Sequence, residues 1–191
     1  DYGSNHNARE IPFAQLHCER LGIRHIVLNL DFMRQYFKSS LLEGAESIPE
    51  GSYDEDNMKS TVVPFRNGIM LSIAIGIAES HHLKCVMMAN HGGDHTIYPD
   101  CRPEFVHAMS DAAVAGTFVG VELWAPYTDL TKAEIAQHGK SLGVDYAETW
   151  SCYKGLEHHC GNCGTCLERK NALREAGIED RTLYEDKGCQ G

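Results

Sequence analysis

Four cysteines towards the C-terminal end, spaced Cys152-x7-Cys160-x2-Cys163-x2-Cys166, constrain this chain more than any other feature. Each thiol can become a thiolate ligand of one tetrahedral Zn²⁺: the x2 gaps let neighbouring sulfurs reach the same ion, and the longer first gap closes a loop onto it. Two disulfides or four free thiols are the alternatives. Repeated Cys-x2-Cys pairs favour the metal in a chain whose other cysteines are scattered. His158 or His159 could replace one thiol, although four sulfurs already complete the set. A site closed by four protein ligands keeps no coordination position open. It therefore predicts a structural ion, and the chemistry must lie elsewhere.

The 191 residues suffice for one domain with a core and a small lobe, expected at 1–150 and 151–191. A formal net charge of -10 excludes the basic face of a non-specific nucleic-acid binder, but not a local group of cations around a small anion. The longest apolar run, Gly68–Ala78, is too short to span a bilayer, and the opening residues carry no signal-peptide pattern. Cys18, Cys85 and Cys101 read as scattered apolar fillers and Cys189 lies in the tail, so a reducing, cytoplasmic setting is expected.

Apolar spacing at Ile11, Ala14, Cys18 and Leu21 predicts a helix from about Asn7 to Leu21, capped by Gly22. His25–Leu30 reads as a buried strand and Phe32–Leu42 as a helix begun by Asp31. The acidic stretch Glu43–Lys59, with Gly44, Pro49 and Gly51, is either a solvated loop or a mobile lid. Gly68–Ala78 predicts an apolar helix buried on nearly all sides. Arg66 and Asn67 stand at its mouth, as caps or as ligand contacts. A second strand, Lys84–Ala89, leads into Asn90-His91-Gly92-Gly93-Asp94-His95 and Tyr98-Pro99-Asp100-Cys101-Arg102. Loops beyond the carboxyl ends of strands bind ligands in open α/β sheets, and here glycines for close approach adjoin Asp94, Asp100 and Arg102.

Pro103 opens a helix to about Ala115 with Phe105, Val106, Met109, Ala112 and Ala113 inward. A strand follows at Gly120–Leu123. Thr131 and Glu134 form a capping box for Lys132–Leu142, and Leu167–Glu175 is the helix leaving the cysteine module. Lys132 sits in a first turn whose dipole opposes a cation, as a ligand contact or an ordinary surface lysine. The alternation of strands and helices predicts an α/β fold with a parallel sheet. Nucleophile elbows, His-Glu-x-x-His pairs and Walker loops do not occur, and no base adjoins Cys101 in the sequence. The residues alone do not give the reaction.

Asp1-Tyr2-Gly3, Val63-Pro64-x-Arg66-Asn67, Tyr98-Pro99-Asp100-Cys101-Arg102-x-Glu104-Phe105, Thr131-Lys132-Ala133-Glu134 and Cys152…Cys166-x-x-Arg169 occur in that order. Together they make the chain, from Asp1 to about Leu173, resemble the 7-cyano-7-deazaguanine synthases, queuosine-biosynthesis enzymes of the PP-loop ATP-pyrophosphatase superfamily. Phe65 replaces a glycine common at that position. The resemblance implies a Rossmann-like (adenine nucleotide alpha hydrolase-like) parallel sheet with helices on both faces and a zinc lobe. It implies that ATP, with Mg²⁺, activates 7-carboxy-7-deazaguanine, that ammonia gives the amide, and that a second activation dehydrates it to the nitrile. Tyr2, Gly3, Arg66, Asn67, Gly92 and Gly93 would face ATP, and Asp94, Tyr98, Asp100 and Arg102 the deazapurine acid. Lys132 and Arg169 would be anion contacts, and Cys152, Cys160, Cys163 and Cys166 the zinc ligands. A homodimer is the quaternary expectation.

The family opens with a strand and a Ser-Gly-Gly-x-Asp-Ser phosphate loop, and neither is present in these residues. With a central first strand missing, its two neighbours would face a gap of unpaired backbone groups. The expectation is therefore about 30–45 further N-terminal residues, one strand–loop–helix unit, with the segment inactive alone.

Overall fold

In the computed structural model, which describes residues 1–185, the elements run α1 (Asn7–Leu21), α2 (Phe32–Tyr36), α3 (Glu55–Met58), α4 (Arg66–Ser80), β1 (Cys85–Met87), α5 (Pro103–Gly116), β2 (Glu122–Trp124), α6 (Lys132–Ser141) and α7 (Gly164–Glu175). They gather into two compact units, Pro64–Ile135 and Asp1–Val63 with Ala136–Gly191. Cys189 lies outside the described residues. Among those residues no helix is long and apolar enough to cross a membrane.

The unit Pro64–Ile135 is a β–α–β arrangement preceded by α4. β1 and β2 pair in parallel, Cys85 opposite Glu122, Val86 opposite Leu123 and Met87 opposite Trp124. Alternation along each strand sends Val86, Met88, Val121 and Leu123 to one face, where they pack with Leu71, Ile75 and Ala78 of α4 and Val106 and Ala113 of α5. On the other face Met87 and Trp124 stand exposed, so within this unit helices cover one face of the sheet. α4 is buried along a single stripe of Gly68, Leu71, Ile75 and Ala78 and not all round, because only that stripe meets the sheet. Ala112 of α5, expected inward, is exposed.

In the other unit α1 has the expected bounds and ends at Gly22, whose positive φ of 65° lets the chain turn back so that Ile23 N–H reaches the Cys18 carbonyl. Its docked side is not the Ala14–Leu21 line. Phe13 stacks on Trp150 with centroids 6.2 Å apart, His17 Nε2 lies 2.9 Å from the Glu148 carbonyl, and Arg20 pairs with Glu148, while Leu21 is 71% exposed. His25–Leu30 forms no strand. It bonds Asp1, from the terminal amine to Leu28 O (2.7 Å) and from Leu30 N to Asp1 O (2.6 Å), Leu30 O accepts from Met33 N–H at 2.9 Å as α2 begins, and Ile26 and Val27 are half exposed. A strand needs a lateral neighbour, and apolar content alone does not supply one.

The helix expected to reach Leu42 stops at Tyr36. Leu41 and Leu42 are buried against the N-terminal segment, with a Ser4–Leu42 bridge and Asn5 N donating to Leu41 O at 2.9 Å. That pairing competes successfully with helical continuation. Asp31 caps nothing with its side chain and instead holds Arg34 at 3.0 Å.

Candidate metal centre and ligand loops

The four sulfurs of Cys152, Cys160, Cys163 and Cys166 lie within 4.8 Å of one another, and all four residues are buried. Cys160 Sγ and Cys166 Sγ are 3.9 Å apart. A tetrahedron with metal–sulfur bonds of about 2.3 Å has edges of about 3.8 Å, so the donor set fits one tetrahedral cation. Cys163 is the N-cap of α7 and Cys166 lies in its first turn, which is why this helix begins at Gly164 and not at Leu167. Backbone amides support the sulfurs. Cys160 N–H donates to Cys152 Sγ at 3.4 Å, and Cys163 N–H donates to Cys160 Sγ at 3.3 Å. Hydrogen bonding from Cys152 pulls the Cys160 thiol down to about 6 and lowers Cys163 as well, whereas bonds to its cysteine neighbours push Cys166 up. The four thiols are thus close enough to share protons among themselves, Cys152 being pushed up like Cys166, and it is their tetrahedral spacing that suits a metal.

His159 is not a fifth candidate. Its Nε2 accepts from Ser151 N–H at 3.1 Å, and its ring lies 4.2 Å from that of Trp150. Burial pulls its pKa down to about 4, so the ring is neutral.

The stretch Glu43–Lys59 is fastened to this centre. Glu50 bridges Cys163, Gly51 N–H donates to Asn162 O at 3.0 Å, and Lys154 pairs with Glu50. Met58 is 1% exposed and packs on Gly164, where an added Cβ would come within 2.6 Å of its sulfur. Neither a free lid nor a wholly solvated loop describes the segment. It is a strap.

Arg169 is buried one turn along α7. Nε donates to Thr182 Oγ1 at 2.8 Å, Nη1 to Thr149 Oγ1 at 2.8 Å and Ser151 Oγ at 3.2 Å, and Nη2 to the Tyr146 carbonyl. These bonds bind the metal lobe to the 146–151 segment. In the same unit Tyr2 is buried with its hydroxyl 3.4 Å from His6 Nε2, and Gly3, at a φ of 76°, lies so close to Arg34 that a Cβ would approach its Cβ to 2.8 Å.

In the other unit the structure joins residues expected at ATP with residues expected at the acid. Asn67 N–H donates to Asp100 Oδ2 at 2.8 Å, and its side-chain amide reaches Asp100 O and Cys101 Sγ, both at 3.2 Å. Gly92 N–H donates to Leu130 O at 3.0 Å, which lays the glycine turn on the loop after β2. Gly93 N–H donates to His91 Nδ1 at 3.1 Å, and His91 Nε2 lies 3.1 Å from Asp94 Oδ2. Tyr98 N–H donates to Asp94 O at 2.8 Å, and Arg102 Nε to His95 O at 2.8 Å. Burial first, then Asp94 and Asp100, push the Cys101 thiol up to about 12, which removes it as a nucleophile. Lys132 occupies the first turn of α6 beneath the Thr131–Glu134 box.

Sequence reasoning missed Asn90 and His91, which hold these loops from within. The signal was available, since both directly follow the stretch Lys84–Ala89 expected to be a strand. The Arg169 acceptors were not legible, because they lie 13–23 residues away along the chain.

A family model described as "Queuosine biosynthesis protein QueC" matches residues 1–177. The chain is 63% identical over 185 residues to a 7-cyano-7-deazaguanine synthase of Porphyromonas gingivalis, covering 97% of this chain and 84% of the relative. It is 52% identical over 184 residues to one of Desulfotalea psychrophila, covering 96% and 84%, and 47% identical over 189 residues to one of Brucella anthropi, covering 97% and 81%.

Proposed function

From the chain's membership of the QueC family of queuosine biosynthesis proteins, we infer that it catalyses the ATP-dependent conversion of 7-carboxy-7-deazaguanine and ammonia to 7-cyano-7-deazaguanine. The observation that carries this reading is the 63% identity, over 97% of the chain, with a relative named for that product. A carboxylate does not react with ammonia until its oxygen is made a leaving group. ATP supplies that activation, ammonia displaces the activated oxygen to leave an amide, and a second activation removes the amide oxygen to leave the nitrile.

Charge is the difficulty at each step, because a triphosphate and a carboxylate must meet on a protein of net charge -10. Arg66, Lys132 and Arg102 supply the local cations. Arg66, Asn67, Gly92 and Gly93 serve the nucleotide, which arrives with Mg²⁺, and Asp94, Tyr98, Asp100 and Arg102 serve the deazapurine acid. The Asn67–Asp100 bond ties the start of α4 to the 99–101 turn, which supports a shared site for the two groups. Arg169 acts at a distance by holding its lobe. Cys152, Cys160, Cys163 and Cys166 would hold Zn²⁺, which with four sulfur ligands would serve a structural role. The reaction runs in the cytoplasm on small molecules, without contact to nucleic acid.

Full-length, zinc-loaded protein incubated with ATP, ammonia and 7-carboxy-7-deazaguanine should yield the nitrile by mass spectrometry, and omission of any one substrate should abolish it. No nitrile from the complete mixture would overturn the assignment.

A further inference from the structure

We propose that Asn90 is a positioning residue for the reaction, a clamp that fixes the turn carrying Asp100 and Arg102 against the loop that follows β2. It rests on the placement of that turn at the deazapurine acid. Asn90 is 3% exposed and lies just past β1, at the carboxyl end of the sheet. Its amide nitrogen donates to the Cys101 carbonyl at 2.8 Å. Its amide oxygen is 3.4 Å from the Thr128 hydroxyl, which also donates to Ala125 O at 2.9 Å. One side chain thus spends its donor on the 99–101 turn and its acceptor on the loop beyond β2.

The turn is held from two sides. Asn67 takes the Asp100 carbonyl and carboxylate from the start of α4, and Asn90 takes the Cys101 carbonyl from the end of β1. The Cys101 carbonyl belongs to the peptide that leads into Arg102, so whatever fixes it fixes where the Arg102 side chain departs. Arg102 then needs only its Nε bond to His95 O to complete its direction, and the residue stays exposed. The single Thr128 hydroxyl proton is shared between Ala125 O and Asn90 Oδ1, so the bond to the Cys101 carbonyl is the stronger of the two contacts, and a buried amide left with neither is costly. The two-ended bond therefore locks one arrangement of the loops. Because the donor end holds the acid-binding turn directly, while the acceptor end reaches the glycine turn only through the loop beyond β2 that Gly92 N–H bonds at Leu130 O, losing the side chain should affect the acid more than ATP.

The experiment is steady-state kinetics on full-length, zinc-loaded protein bearing Asn90→Leu, Thr128→Val or Arg102→Ala, varying the acid and ATP separately and recording melting temperatures. Asn90→Leu should raise KM for the acid about tenfold, the loss of roughly one buried hydrogen bond, with KM for ATP within about twofold of the unsubstituted protein. Thr128→Val should shift the acid KM in the same direction by about two- to fivefold, and it carries the test if Asn90→Leu does not fold. Equal rises in both KM values, or none, while Arg102→Ala raises the acid KM, would overturn the clamp alone. An unchanged acid KM in Arg102→Ala as well would overturn the placement of the turn, and the clamp with it.

Discussion

Arg169 shows how surroundings assign work to a charged residue. Three hydroxyls and a carbonyl take its donors inside the lobe, and burial, the largest influence, lowers its pKa from the ordinary value. Arg169→Ala would strip a partly buried carbonyl and several hydroxyls of their donor at once, for an expected loss of about 2–4 kcal/mol. Denaturant unfolding of the metal-loaded protein measures it, and a loss under about 0.5 kcal/mol, the range of an ordinary surface change, would contradict the bracing role. The cysteines were legible because ligand spacing is a local code. Asn67 was legible only as a polar residue at a helix mouth, since its partner Asp100 lies 33 residues on and meets it only once the loops are folded.

Among the elements, α6 follows its sequence most faithfully. Thr131 N–H donates to Glu134 Oε2 at 2.8 Å and Glu134 N–H returns to Thr131 Oγ1 at 3.2 Å, the reciprocal box that the spacing predicts. Thr131→Ala should cost about 1 kcal/mol by chemical denaturation, and no change would show that the box contributes nothing to stability. The elements that departed from sequence are those decided by distant neighbours: the end of α2 by the Ser4–Leu42 bridge, and the missing strand at His25–Leu30 by the want of a lateral partner. The 43–59 strap belongs with them, because its composition signals solvent while Ile48 and Met58 carry it inward. Since Glu50 bridges Cys163, chelating the metal should expose the amides of residues 50–58 to hydrogen exchange together with those of 160–166. Unchanged protection in 50–58 after metal loss would mean the strap stands without the centre.

At the scale of the whole molecule, the four-cysteine cluster lies in one unit and the loops after β1 and β2 lie in the other. Cys163→Ser should therefore lose bound metal and thermal stability together, because binding energy at a four-sulfur site is folding energy. Stoichiometric zinc with an unchanged melting temperature would show that the ligand set is wrong. Catalysis by this account depends on ATP, ammonia and the deazapurine acid meeting on loops that follow β1 and β2. Isotopically labelled ammonia tests that most directly. With full-length, zinc-loaded protein, ATP and 7-carboxy-7-deazaguanine, mass spectrometry should find the label in the nitrile nitrogen. An unlabelled nitrile, or an amide that accumulates without going on to nitrile while ATP remains, would contradict it.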